Sequence, residues 1–91
     1  MINLDTLSEG WKIVDNTLQK TFEFKGYLKT MFFANAVAWE ANKQIHHPEM
    51  RITFNQCLII LCTHDEGNIL TEKDIAMAKA IDDLTQKNFS K

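Results

Sequence analysis

The stretch "LQKTFEFKGYLKTMFFANAVAWEANKQIHHP" (Leu18–Pro48) carries two hydrophobic periods in succession. Over Leu18–Phe24 the period is two. Leu18, Lys20, Phe22 and Phe24 fall on one side, and Gln19, Thr21 and Glu23 on the other, which is the pattern of a strand. From Lys25 the period lengthens. Tyr27, Met31, Ala34, Ala38, Ala41 and Ile45 form one helical stripe, with Leu28, Phe32, Ala36 and Trp39 beside it and the polar Asn35 interrupting. So wide an apolar perimeter can serve a sheet and a partner subunit together, and the aromatic residues are expected in the core. The helix is predicted to run to about Gln44, and Pro48 stops it soon after.

Working outward, "SEGWKIVDN" (Ser8–Asn16) offers a turn at Gly10 and then a short strand that ends at Asp15-Asn16. With Leu18–Phe24 it reads as a hairpin. Beyond Pro48, Met50, Ile52 and Phe54 alternate with Glu49, Arg51 and Thr53, and "CLIILCTH" (Cys57–His64) is the apolar run of a central strand. Asn55-Gln56 is expected as the turn between them. "DEGN" is a loop, and Thr71 opens a last helix, with Asp74 completing an imperfect capping box and Met77, Ala80, Ile81 and Leu84 at helical spacing. The order β-β-α-β-β-α predicts an α+β fold, a four-stranded antiparallel sheet with the helices packed on one face.

A chain of 91 residues is expected to form one domain, 1–91. Its net charge of −2 and scattered basic residues give no stripe for nucleic acid. Cys57 and Cys62 lie five residues apart on the same strand, roughly 16 Å and on opposite faces, so no disulfide joins them. Free thiols and the absence of a signal-peptide pattern lead us to expect the cytoplasm, and the apolar run 57–62 is too short to span a membrane. Self-association would extend so small a core.

All three histidines, His46, His47 and His64, fall within nineteen residues. With the turn at Asn55-Gln56, Phe54 faces Cys57, Ile52 faces Ile59 and Met50 faces Leu61, and the same register sets His47 opposite His64. Directly opposed residues have Cβ atoms about 4.5–5.5 Å apart. His46, in the connection, can turn to the same place, and Pro48 stiffens the approach by holding His47 extended. Imidazoles that share a pocket repel when charged, so one tends to neutrality while another keeps its proton. Such a division supplies the base and the acid that an elimination or hydration requires. Three other readings compete: surface histidines near a turn, a zinc site with Asp65 and Glu66 adding oxygen ligands, and Cys62 as a nucleophile on the His64 face. No helical H-x-x-x-H pair or cysteine pattern supports zinc, and Cys62 sits in an apolar strand without a signature. We therefore expect neither a metal nor a cofactor.

His46-His47-Pro48, five residues, Phe54, nine residues, His64 and then Asp74 resemble the signature of the pterin-4a-carbinolamine dehydratases. The likeness extends through Gly10-Trp11 and "FEFKGY" to "THDEGNILTEKDIAMAKAID" and covers nearly the whole chain. It implies a hydro-lyase that removes water from 4a-hydroxytetrahydrobiopterin to give quinonoid dihydropterin, in recycling of the pterin cofactor. Carried over, His46, His47 and His64 are the catalytic histidines. His46–Pro48 and Thr63–Glu66 (Thr63, His64, Asp65, Glu66) line the pterin site, Trp11 lies near it, and Phe54 and Asp74 are mainly architectural. The pattern departs at Asn42, where the family has an acidic or other ionisable residue. The resemblance also implies a homo-oligomer, a tetramer or dimer. It implies, as the alternative function, a non-catalytic dimerisation cofactor of a homeodomain transcription factor.

Overall fold

The computed structural model describes residues 3–88, with side chains as far as Gln86. Strand β1 (Lys12–Val14) turns through Asp15-Asn16 into β2 (Thr17–Glu23). Asp15 and Asn16 have φ of 48° and 64°, the pair of left-handed residues that a two-residue hairpin turn needs and that Asp and Asn tolerate best. Helix α1 (Tyr27–Gln44) follows, then β3 (Glu49–Ile52), β4 (Gln56–Leu61), a single 3₁₀ turn (His64–Glu66) and helix α2 (Glu72–Asn88). The strands pair antiparallel in the order β1-β2-β4-β3. This is the predicted α+β architecture.

Alternation places the core on one face of the sheet. Leu18 and Phe22 from β2, with Cys57, Ile59 and Leu61 from β4, meet Phe33 and Val37 of α1 and Met77, Ala78 and Ile81 of α2. The Phe33 ring lies 4.8 Å from that of Phe22 and 4.9 Å from that of Phe24, within the range where tilted aromatic pairs attract beyond their area.

The face of α1 that meets the sheet differs from the expected stripes. Thr30, Phe33, Ala34, Val37 and Ala41 are buried, whereas Tyr27, Leu28, Phe32, Trp39 and Ile45 are all more than half exposed. With apolar residues almost all round, periodicity identifies the helix but not its buried side. The aromatic residues Tyr27, Phe32 and Trp39 are therefore surface residues in the single chain, and only Phe33 enters the core.

The β3–β4 register is displaced by two residues from the expected one. Ile52 pairs with Cys57 and Met50 with Ile59, because the turn lies at Phe54-Asn55, one residue earlier than predicted. Side chains and neighbours hold that turn in place of a glycine. Thr53 N donates to Gln56 O (2.9 Å), Gln56 N to Thr53 Oγ1 (3.1 Å), and Phe24 N to Asn55 O (2.8 Å). Thr30 Oγ1 of α1 also donates to Phe54 O (3.2 Å). An even shift leaves every side chain on its expected face, but Phe54 is carried to the surface, and His47 is not opposite His64 in the ladder.

Helix α1 ends in a paired-hydrogen-bond cap. Ile45 N donates to Asn42 O (3.3 Å) and His46 N to Ala41 O (3.1 Å), with Ile45 left-handed at φ 52°, ψ 48°. Glycine or asparagine normally holds this position. A β-branched residue there costs about 1–2 kcal/mol.

Trp11 takes a packing role in the core. It is buried edge-on against Phe22, and its Nε1 donates to Asp82 Oδ1 at 2.9 Å. The same carboxylate accepts from Ser8 N (2.8 Å) and Ser8 Oγ (2.6 Å). This cluster fastens the N-terminal segment to α2, and Trp11 is part of that fastening rather than of the histidine region.

Candidate active site

The α1 cap turns the chain so that His46 and His47 leave the helix toward β3, while the 3₁₀ turn after β4 brings up His64 from the other side. The three imidazoles, Ile45, Asp65 and Lys73 line one open pocket of about 190 Å³. This is smaller than the ~300–1,000 Å³ typical of enclosed small-molecule sites, and it opens to solvent. The histidines come together here through the two connections flanking the sheet, without the direct cross-strand pairing expected.

His46 is the most firmly held. Its Nε2 lies 2.6 Å from Asp74 Oδ1, with the His46 side chain 10% and the Asp74 side chain 0% exposed. A carboxylate only accepts, so Nε2 carries the hydrogen and Nδ1 is left for the pocket. The other oxygen of Asp74, Oδ2, accepts from Thr71 N (3.0 Å) and Thr63 Oγ1 (3.0 Å). Thr71 Oγ1 in turn accepts from Lys73 N at 3.2 Å. Asp74 is therefore the N3 residue of the capping box that Thr71 opens at the start of α2, and its other oxygen bonds a histidine. Sequence reasoning placed the cap but assigned Asp74 a mainly architectural role. The missed signal is that a box closed by the short Asp side chain leaves one oxygen unused.

His64 is held more loosely. Its Nδ1 donates to Asn68 Oδ1 at 2.7 Å on the surface, and Asn68 reaches back because it takes a left-handed conformation, φ 59°, that asparagine tolerates. Nε2 of His64 is the nitrogen left over. The oxygen partners of His46 and His64 thus favour opposite neutral tautomers, leaving Nδ1 of His46 and Nε2 of His64 without an oxygen partner.

The remaining predicted residues take different places. Asp65 lines the pocket and pairs with Lys73 at 3.5 Å. Thr63 is buried beneath it, bonded to Thr71 Oγ1 (2.6 Å) as well as to Asp74. Pro48 is half-buried in the connection and Glu66 is exposed, and neither lines the pocket; nor does Trp11. Cys62 Sγ is 3.9 Å from Nδ1 of His64 and 4.0 Å from Nε2, at the outer limit of a sulfur hydrogen bond. Burial, and then the charges of Asp74 and Glu49, push its thiol pKa up, away from the thiolate a nucleophile requires. Among the described residues, no three His, Cys, Asp or Glu side chains converge closely enough to hold a metal ion. Asn42 is exposed on α1, and the carboxylate at His46 comes instead from Asp74.

Two larger hollows, about 550 and 330 Å³, flank the exposed Trp39 on α1. The larger is lined by Ala36, Trp39, Glu40, Asn42, Lys43 and Leu84 and the smaller by Asn35, Ala38, Trp39 and Asn42; Glu40 and Lys43 pair with each other at 3.4 Å, and no histidine reaches either hollow. Among the described residues, no helix is long and apolar enough to cross a membrane.

Residues 2–84 match the family described as pterin 4 alpha carbinolamine dehydratase, and the chain belongs to that family. A protein of Nitrosomonas eutropha, provisionally named a pterin-4-alpha-carbinolamine dehydratase, is 43% identical over 81 residues, 89% of this chain and 71% of the relative. A relative from Aquifex aeolicus with the same provisional name is 40% identical over 79 residues, 87% of this chain and 79% of its own. Among solved structures, a transcriptional coactivator/pterin dehydratase from Brucella melitensis superposes with a TM-score of 0.81 at 35% identity, covering 89% of this chain and 86% of the other. A pterin dehydratase-like protein described as a RuBisCO assembly factor in the alpha-carboxysome superposes at 0.70 with 25% identity, covering 84% and 89%.

Proposed function

We propose that this chain dehydrates a pterin 4a-carbinolamine, 4a-hydroxytetrahydrobiopterin in the fullest statement, to quinonoid dihydropterin and water. The observation that carries the reading is the histidine pocket, with His46 locked by a buried carboxylate and the opposite tautomer favoured at His64.

The substrate carbon bears a hydroxyl next to a ring N–H. Hydroxide is a poor leaving group at neutral pH, so the departing oxygen needs a proton. One imidazolium gives that proton, and the C–O bond breaks to release water. One neutral imidazole takes the proton from the ring nitrogen, whose electron pair forms the new C=N bond. We assign these roles to His46 through Nδ1 and His64 through Nε2, a choice supported by the oxygen partners of their other nitrogens. His47, at the same pocket, binds substrate or shares the acid role. Each positioned acid or base contributes about 10²–10⁴-fold, so the reading calls for neither a covalent intermediate nor a metal. His46, His47, Pro48, Thr63, His64, Asp65 and Glu66 remain the residues assigned to the pterin site. Among them Thr63 acts by supporting Asp74.

The test is turnover of the carbinolamine by purified protein. His46→Ala and His64→Ala should each lower the rate by roughly tenfold or more while leaving the circular dichroism unchanged. Two variants at full rate would end the catalytic reading. Chelator treatment should leave turnover intact, and a loss restored by zinc would favour a metal mechanism.

A second reading has its own support. The exposed Leu28, Phe32 and Trp39 form an apolar face on α1 that suits self-association into a dimer or tetramer. Such an oligomer could act as a non-catalytic binding module, as a transcriptional dimerisation cofactor would. A chain that neither turns over nor binds a reduced pterin, yet assembles through this face, would favour that reading.

A further inference from the structure

We infer that Ile45 is a substrate-contacting residue, an aliphatic surface against which the flat bicyclic ring of a reduced pterin lies. The inference rests on the pterin reading above and names a residue that it leaves unassigned.

Three observations carry it. Ile45 occupies the left-handed end of α1 at φ 52°, ψ 48°, a region where a β-branched side chain is an outlier. The hydrogen bonds that close this cap are made by backbone atoms alone, so a glycine would close it as well and without strain. Nor does burial compensate within the chain, since Ile45 is 83% exposed. A strained and exposed aliphatic residue gains its return from whatever covers it, and strain of this kind gathers where a ligand is held.

Its neighbours say what that is. Of the six residues lining the histidine pocket, Ile45 alone is apolar; the others are His46, His47, His64, Asp65 and Lys73. Polar groups address the edge atoms of a heterocycle, whereas its face needs a non-polar surface. Ile45 supplies that surface immediately before the two histidines that the same cap positions.

The experiment compares Ile45→Gly, Ile45→Asn and Ile45→Leu in the full chain by steady-state carbinolamine dehydration, thermal unfolding and sedimentation. Glycine and asparagine accept the left-handed conformation, so both variants should melt at a higher temperature than the parent. Both should raise KM about tenfold, the low end for a lost aliphatic contact, with kcat within twofold. Leucine should keep KM within twofold. A KM unmoved by Gly and Asn overturns the inference. So does a fall in kcat at constant KM, which would make Ile45 a positioner of histidines, or a loss of assembled mass that accounts for the change, which would make a second copy the covering surface. A lower melting temperature in both variants overturns the strain on which it rests. A parent protein that neither turns over the carbinolamine nor binds a reduced pterin overturns the functional reading and this inference together, whereas an active parent with unmoved KM overturns this inference alone.

Discussion

His46 Nε2 and Asp74 Oδ1 stand 2.6 Å apart across 28 residues of sequence, and the carboxylate that makes this contact is the one that caps α2. Asp74→Asn keeps the shape but presents an amide that donates as well as accepts. Turnover should fall at least tenfold, in line with the loss expected when the group orienting a histidine is replaced. A nitrogen-15 spectrum of the His46 ring should report the shift away from the Nε2-protonated tautomer. A variant that loses stability but keeps that tautomer and full turnover would reduce Asp74 to a cap. Asn68→Ala, at the exposed partner of His64, should cost turnover far less than Asp74→Asn.

Trp11→Phe tests where the tryptophan belongs. It deletes the bond to the buried Asp82 while keeping the contact with Phe22. The unfolding free energy should fall by about 1–3 kcal/mol, with KM for the pterin unchanged. A large KM effect at undiminished stability would return Trp11 to the pocket.

Alkaline pH should weaken the fold through Cys57. Burial raises its thiol from 9.0 to about 11. Between those values the unfolded chain gives up a proton that the folded chain retains, so stability falls as pH rises through that window, by about 2–3 kcal/mol. Cys57→Ala should flatten that part of the curve relative to the parent, measured by denaturant titration from pH 8 to 11. An unchanged slope would contradict it. Iodoacetamide at neutral pH should label Cys62 more slowly than a free thiol, and Cys57 only on unfolding.

Phe32→Glu and Trp39→Glu place charges on the exposed face of α1. If that face joins copies of the chain, sedimentation should show the mass falling to that of one chain. Turnover per chain should persist, because neither Phe32 nor Trp39 lines the histidine pocket. A parent already monomeric at micromolar concentration would dispose of the self-association reading.

Much of this was legible in the residues. The change of period at Lys25 marks the strand and the helix, and alternation assigns the buried face of β2 and β4 correctly. The histidines were expected to meet, and they do. What escaped depended on choices that periodicity does not make. An apolar girdle around α1 does not say which side the sheet takes. A turn without glycine does not announce its own position, so Phe54-Asn55 was misplaced by one residue and the His47–His64 pairing with it. The partnership of His46 with Asp74 was hidden because it joins the α1–β3 connection to the first turn of α2 through a side chain whose local role, capping, already accounted for it.

The shared carboxylate has a consequence for how activity emerges as the chain folds. Until the last helix docks, residue 46 has nothing to grip, and once it docks the imidazole is seated in the same step. Catalysis would then report the arrival of the C-terminal helix. In a thermal ramp, enzymatic rate would be lost when that helix starts to lift away, ahead of the melting of the strands beneath.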